Sequence, residues 1–312
     1  MSEQEKMQDA APEAQTGKKK KEKVKKSLGQ EILEWVLTLA VAVVAALVIR
    51  AFVFEPVRVD GESMDDTLAN GEIMFVSKFD YSSIWLNMPF TSDNAAQRAA
   101  RLSYGTPNRL DVVICRYPAR GAMNFVKRVV GLPGETIELR DGYLYVNGEQ
   151  VEAEKNIDTI ASAYRKGASS FGPYVIPKKG DSLKILDGQM FLLNGEYWQR
   201  ANTPVKALDG DGKELKVLTE KADESSADGM RAQNIQVISY DGKEYRGESA
   251  IAEILPTLTE KEFKVNEDYF FVMGDHRNNS NDCRQNGALE RSMIVGHVRQ
   301  VVFPFGQWRG VK

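Results

Sequence analysis

Two regimes of apolar spacing divide the chain. From Trp35 to Ile49 no residue is charged, and Ala51 to Phe54 carries the apolar run past Arg50. Built as a helix, Trp35 to Phe54 reaches roughly 30 Å, the thickness of a bilayer core. A cleavable leader would have a shorter apolar stretch closing on small residues, whereas this run closes on Ile49-Arg50-Ala51-Phe52-Val53-Phe54. An interfacial helix would present a polar face, and none lies between Trp35 and Ile49. The pattern therefore predicts one transmembrane helix over 31–54, with Trp35 in the near interface and Arg50 snorkelling to the far headgroups.

Beyond residue 55 the spacing changes to short alternating runs punctuated by Gly, Pro, Asn and Asp, which predicts a mainly β domain. Strands are expected at Phe52–Val59, Ile73–Ser77, Asp111–Tyr117, Asn124–Gly131, Thr136–Leu139, Tyr143–Val146, Tyr269–Met273 and Ile294–Pro304. Asp141-Gly142 and Asn147-Gly148 are hairpin turns, since these residues adopt positive φ at little cost. The only helix expected here is a short one over Asp93–Leu102. Ile84, Trp85, Leu86, Met88 and Phe90 form an apolar cluster that suits core packing or a surface resting on lipid. The more charged interval 151–262 reads as an inserted cap with strands at Lys184–Leu186, Met190–Leu193 and Ile235–Ser239, because loops of that length are rarely structureless. It separates a β domain built from 55–150 and 263–312.

Charge supplies the orientation. The net charge of −3 conceals a block of lysines, Lys18 to Lys21, Lys23, Lys25 and Lys26, directly before the apolar run. Alone, such a block suits a solvated or nucleic-acid-binding tail; beside a span it is the positive-inside signal. Residues 1–30 are thus expected to be a disordered basic tail on the cytoplasmic side, with the β domain outside and no nucleic-acid partner. With 312 residues there is room for two domains or one large β domain with attachments. Two cysteines, Cys115 and Cys283, make no disulfide framework, and the spacing leaves open whether they bridge. Two histidines, His276 and His297, without a Cys/His cluster, do not suggest a metal site.

Three segments carry candidate chemistry: Val59-Asp60-Gly61-Glu62-Ser63-Met64-Asp65-Asp66-Thr67-Leu68, Asn124 to Glu135, and Gly274 to Gly287. A serine hydroxyl needs a base to become a nucleophile. His276, flanked by Asp275 and Arg277, would complete a Ser63/His276/Asp triad. The other candidate is Lys127, whose burial among Phe125, Val126 and Val129 would disfavour its charge and free a lone pair, with Arg128 pushing the same way if it lies close.

Together the segments resemble the bacterial type I signal peptidases, which use a Ser/Lys pair. Ser63-Met64-Asp65-Asp66-Thr67-Leu68 is similar to the family's S-M-x-P-T-L, with Asp66 in place of proline. Arg109-Leu110-Asp111-Val112-Val113 resembles R-G-D-V/I-V with its glycine lost. Phe125 to Gly134 matches the lysine segment, and Gly274 to Gly287 is similar to G-D-N-R-x-x-S-x-D-S-R-x-x-G, with His276 and Cys283 replacing Asn and Ser. The resemblance spans about 30–150 and 265–305.

It implies a β-rich signal-peptidase-like catalytic domain and a membrane-bound serine endopeptidase that removes signal peptides from exported preproteins, with small residues at substrate positions −1 and −3. Ser63 and Lys127 would be catalytic. Ser280 would orient the lysine amine, Asp282 and Arg284 would pair to fix their loop, and Gly274, Asp275 and Arg128 would support it. Gly61 stands where some members have a serine that donates to the oxyanion, so the Ser63 N–H would serve instead. Implied partners are preproteins, membrane lipid and transiently the secretion machinery, with no cofactor. The rival readings are a self-cleaving Ser/Lys regulator of the same fold and a membrane-anchored adaptor without activity. The cap supplies none of the matched motifs and is therefore expected to be dispensable for bond cleavage.

Overall fold

The computed structural model describes residues 27–65, 67–77, 80–81, 105–117, 123–151, 170–187, 190–200, 202–221 and 234–311. The basic tail up to residue 26, the helix expected at Asp93–Leu102, the Ile84–Phe90 cluster, the acidic run Ala222–Ser226 and Asp66 lie outside the described residues.

Leu28–Phe52 forms one 25-residue helix. Its section Leu28–Arg50 is long and apolar enough to cross a membrane. The helix starts three residues before the span expected from the pattern and stops two residues short of its end, since Phe54–Arg58 is already a strand.

The remainder is mainly β, as the alternation predicted. One sheet runs in the order Phe54–Arg58, Ile73–Ser77, Ile294–Phe303, Val112–Cys115, Phe125–Gly131, Tyr269–Met273, Leu289–Glu290. Its neighbours pair antiparallel. A four-stranded sheet orders Glu149–Gln150, Tyr143–Val146, Thr136–Arg140 and Phe171–Val175. Its hairpins turn through Asp141 and Asn147, both at φ 52° and each followed by glycine, the chemistry read from the sequence. The third sheet orders Glu196–Trp198, Phe191–Leu193, Ser182–Ile185, Phe263–Val265, Val205–Asp209, Glu214–Lys221, Asn234–Tyr240 and Lys243–Arg246. Phe171–Val175, inside the interval read as the cap, pairs with Thr136–Arg140 instead, and Phe263–Val265, just outside it, lies within the third sheet.

A helix not anticipated in the sequence, Gly247–Thr259, follows Lys243–Arg246. Ile251, Ile254, Leu255 and Leu258 recur along one face, and Ile251 and Leu258 are buried, the spacing of an amphipathic helix.

Two apolar clusters hold the site. The larger joins Val129 and Val130 of the lysine strand and Phe270 to Met273 with Leu183, Phe191 and Phe263 of the third sheet, so the inserted strands share a core with those that carry the motifs. The smaller gathers Met64 and Leu68 with Met74, Val76, Val112, Ile114 and Val298. Met64 and Leu68 are 2% and 0% exposed. Their burial anchors the turn after Ser63 and leaves Ser63 itself half-buried at its rim.

Candidate active site

Ser63 begins a compact turn in which Thr67 N–H and Leu68 N–H both donate to Met64 O. On the facing strand, Lys127 is paired with Val113 and is 2% exposed. Its Nζ lies 2.6 Å from Ser63 Oγ and donates to Val126 O at 2.9 Å. Burial lowers the Lys127 pKa from its ordinary 10.5; Cys115, Asp282, Cys283 and Asp275 act in the opposite direction. Among these the two thiols are themselves kept protonated by burial, with Cys115 pushed up to about 12. Both cysteines are free. A cleft of about 400 Å³ opens over the pair, lined by Gly61, Glu62, Ser63, Phe125, Lys127 and Asn281 among others.

Arg128 does not act as the like charge considered for Lys127. Consecutive strand residues point to opposite faces, and its guanidinium grips Asp275 bidentately, Nε to Oδ1 at 2.8 Å and Nη2 to Oδ2 at 2.7 Å. Both side chains are almost fully buried. Thr67 Oγ1 donates to Asp275 at 2.6 Å and Arg128 Nη1 donates to Leu110 O at 2.8 Å. One buried ion pair thus ties together the nucleophile turn, the lysine strand and the 274–287 segment.

Leu110, which occupies the position of the family's glycine, has φ 72°. That lies in the left-handed region that glycine adopts freely, and a side chain there costs ~1–2 kcal/mol.

Gly274 is the tightest junction in the site: a Cβ on it would collide with Ser63 O and with Ser280 Oγ. Its N–H donates to Asp282 Oδ2 at 3.0 Å. Ser280 Oγ donates to the same oxygen at 2.7 Å, while among the described residues the Lys127 amine bonds Ser63 Oγ and Val126 O and not the Ser280 hydroxyl the resemblance implied. Asp282, fully buried, also accepts from Arg284 Nε at 2.9 Å and caps the one-turn helix Cys283–Asn286. His276 N–H donates to Ser63 O at 3.1 Å, while its ring Nδ1 sits 3.1 Å from Glu62 O. No hydrogen bond links that ring to the Ser63 hydroxyl, so the triad geometry is not formed. Sequence reasoning missed Thr67 as a partner of Asp275, although Thr67 lies in the matched segment.

A mainly β scaffold that brings a serine hydroxyl into hydrogen-bond range of a buried amine, beneath an open cleft, is that of a serine hydrolase. The chain matches the family described as signal peptidase, peptidase S26, over residues 32–303. It belongs to that family and is an endopeptidase of the signal peptidase I type. A signal peptidase I of Bacillus licheniformis is 34% identical over 171 residues, 54% of this chain and 76% of the relative. Signal peptidase I T of Bacillus subtilis (strain 168) is 34% identical over 161 residues, 50% and 72% of the two chains. A signal peptidase I of Pseudomonas aeruginosa reaches 40% over 110 residues, 35% of each.

Proposed function

We propose that Ser63 and Lys127 form a catalytic dyad that removes signal peptides from exported preproteins, on the outer side of the membrane in which the Leu28–Phe52 helix is anchored. The observation that carries this is the 2.6 Å separation of Lys127 Nζ from Ser63 Oγ at a lysine whose charge is disfavoured by burial. A neutral amine accepts the Ser63 proton as Oγ attacks the scissile carbonyl carbon. The tetrahedral oxyanion is met by the Ser63 N–H, because Gly61 has no side chain to offer. As the C–N bond breaks, the Lys127 ammonium returns its proton to the leaving amine. Water then attacks the acyl-enzyme, giving its proton to Lys127, and the C–Oγ bond breaks with the proton passing to Oγ.

Arg128, Asp275, Gly274, Ser280, Asp282 and Arg284 act as the frame that keeps the two reacting groups in register. On this reading 55–150 and 263–312 carry the chemistry, and 151–262 is inserted. Preproteins are the substrates, with lipid and transiently the secretion machinery as partners. Full-length protein in detergent should cut a signal-peptide-bearing precursor in trans, and Ser63→Ala and Lys127→Ala should each abolish that cut. Cleavage that persists in either variant would remove the dyad.

A further inference from the structure

The third sheet meets the 274–287 segment through the stretch before Val205–Asp209. Thr203, on the connection between Glu196–Trp198 and Val205–Asp209, is fully buried. Its Oγ1 accepts from Ala288 N–H at 3.0 Å and shares a hydrogen bond with the Tyr174 hydroxyl. Arg200 Nη1 donates to Thr203 O at 2.8 Å and Thr203 N–H donates to Arg200 O at 2.8 Å, which closes the connection on itself. Next to it Asn202 Nδ2 donates to Gln285 O at 3.2 Å. Gly287, at φ 78°, packs so tightly on Thr203 that a Cβ would strike the Thr203 backbone.

These contacts bear on the site through the helix Cys283–Asn286. A single turn has no stability of its own, so its place is set by its two ends. At the first, Asp282 caps it and holds Gly274 N–H and Ser280 Oγ. At the second, Gly287 N–H closes on Cys283 O at 2.8 Å and the chain passes at once to Thr203. Gly274 in turn abuts Ser63 O. A chain of contacts therefore runs from the inserted sheet to the Ser63 backbone, and the Asp282 charge acts to raise the Lys127 pKa.

We propose that Thr203 is a positioning residue for peptide-bond cleavage: through Gly287 and Ala288 it fixes the Cys283–Asn286 turn and with it Asp282, making the inserted sheet a working part of the catalytic centre. The proposal rests on the Ser63/Lys127 reading. It runs against the expectation that the insertion is dispensable for chemistry, which followed from motif positions and not from contacts.

Thr203→Val keeps the shape and removes the acceptor; Thr203→Ser keeps the acceptor. Full-length enzyme in detergent, assayed on a precursor peptide, should lose on the order of tenfold in kcat in the valine variant, since small misplacements of reacting groups are costly. KM should stay within about twofold, because Thr203 itself does not line the cleft. As Asp282 drifts from Lys127, the amine loses a favourable charge, so the midpoint of the pH–rate profile should move to lower pH. Serine should restore both. A merely destabilised enzyme would lose active fraction without moving that midpoint. Asn202→Ala, at an exposed position, supplies a milder variant with the same direction of shift, and it decides the matter if Thr203→Val does not fold. Wild-type kcat and midpoint in the folded variant, with Ser63→Ala inactive, would overturn the proposal and leave the dyad standing. An active Ser63→Ala protein would overturn the dyad itself.

Discussion

Replacing Lys127 with methionine separates what the buried amine does for catalysis from what it costs the fold. Methionine has a similar length and no charge. Because burial lowers the folded pKa of Lys127 from 10.5, the unfolded chain binds more protons between that lowered value and 10.5. Stability of the wild type relative to Lys127→Met should therefore be constant above the unfolded pKa. As pH falls through the window it should drop by ~1.4 kcal/mol per pH unit, and it should level off below the folded pKa. Loss of the bond to Val126 O adds ~1 kcal/mol to the variant's cost, but that offset does not change with pH and leaves the slope intact. The Cys115 and Cys283 thiols are held protonated by burial in the folded protein; in the unfolded chain they titrate at about 8.5, a contribution common to both proteins that cancels in the difference. Urea unfolding of the full chain in detergent, followed by tryptophan fluorescence from neutral to strongly alkaline pH, gives the difference curve. Activity supplies an independent marker, since kcat/KM of the wild type should fall tenfold per pH unit below the same folded pKa. The lower break of the stability curve and the midpoint of the activity curve must coincide. A flat difference curve, or two breaks at different pH, would refute Lys127 as the base.

Asp275→Ala should cost about 3–5 kcal/mol in the same unfolding assay, because it strands the Arg128 guanidinium in the interior; a loss under ~1 kcal/mol would show that water or another group reaches that charge. His276→Ala should lower kcat/KM by less than about tenfold, since the bond to Ser63 O comes from its backbone N–H and survives the change. A His276 variant as inactive as Ser63→Ala would restore the triad. Protease added to intact spheroplasts should digest 55–312 and spare the basic tail; protection of the large part would reverse the proposed orientation.

The sequence was most informative where the physics is local. Ile73–Ser77, Tyr143–Val146 and Tyr269–Met273 were legible to the residue, because short apolar runs bounded by polar or turn-forming residues are signals that act over a few positions. Ser63 and Lys127 were legible as candidates because their segments keep the family's order, yet the partner of Ser280 was not. A motif records which side chains gather in a site and says little about which hydrogen bonds they form. Leu110 is instructive: a leucine stands where the backbone, at φ 72°, suits glycine. The brace at Thr203 carried no local signal, since its partners Tyr174 and Ala288 lie far away in the chain and meet it only in three dimensions. The helix Gly247–Thr259 is a different kind of miss, for its apolar spacing was there to be read.

The central position of Ile294–Phe303 in the first sheet, between Ile73–Ser77 and Val112–Cys115, governs the order in which the protein can assemble. Each of those pairings closes a loop of well over a hundred residues, and such closures must be paid in chain entropy before packing rewards them. Until Ile294–Phe303 is in place, the two earlier strands each lack one neighbour, while the lysine strand already has Val112–Cys115 and Tyr269–Met273 on its two sides. Without Ile294–Phe303 the sheet falls into two parts, Phe54–Arg58 with Ile73–Ser77 and Val112–Cys115 through Leu289–Glu290, so this one strand joins the part that flanks Ser63 to the part that carries Lys127.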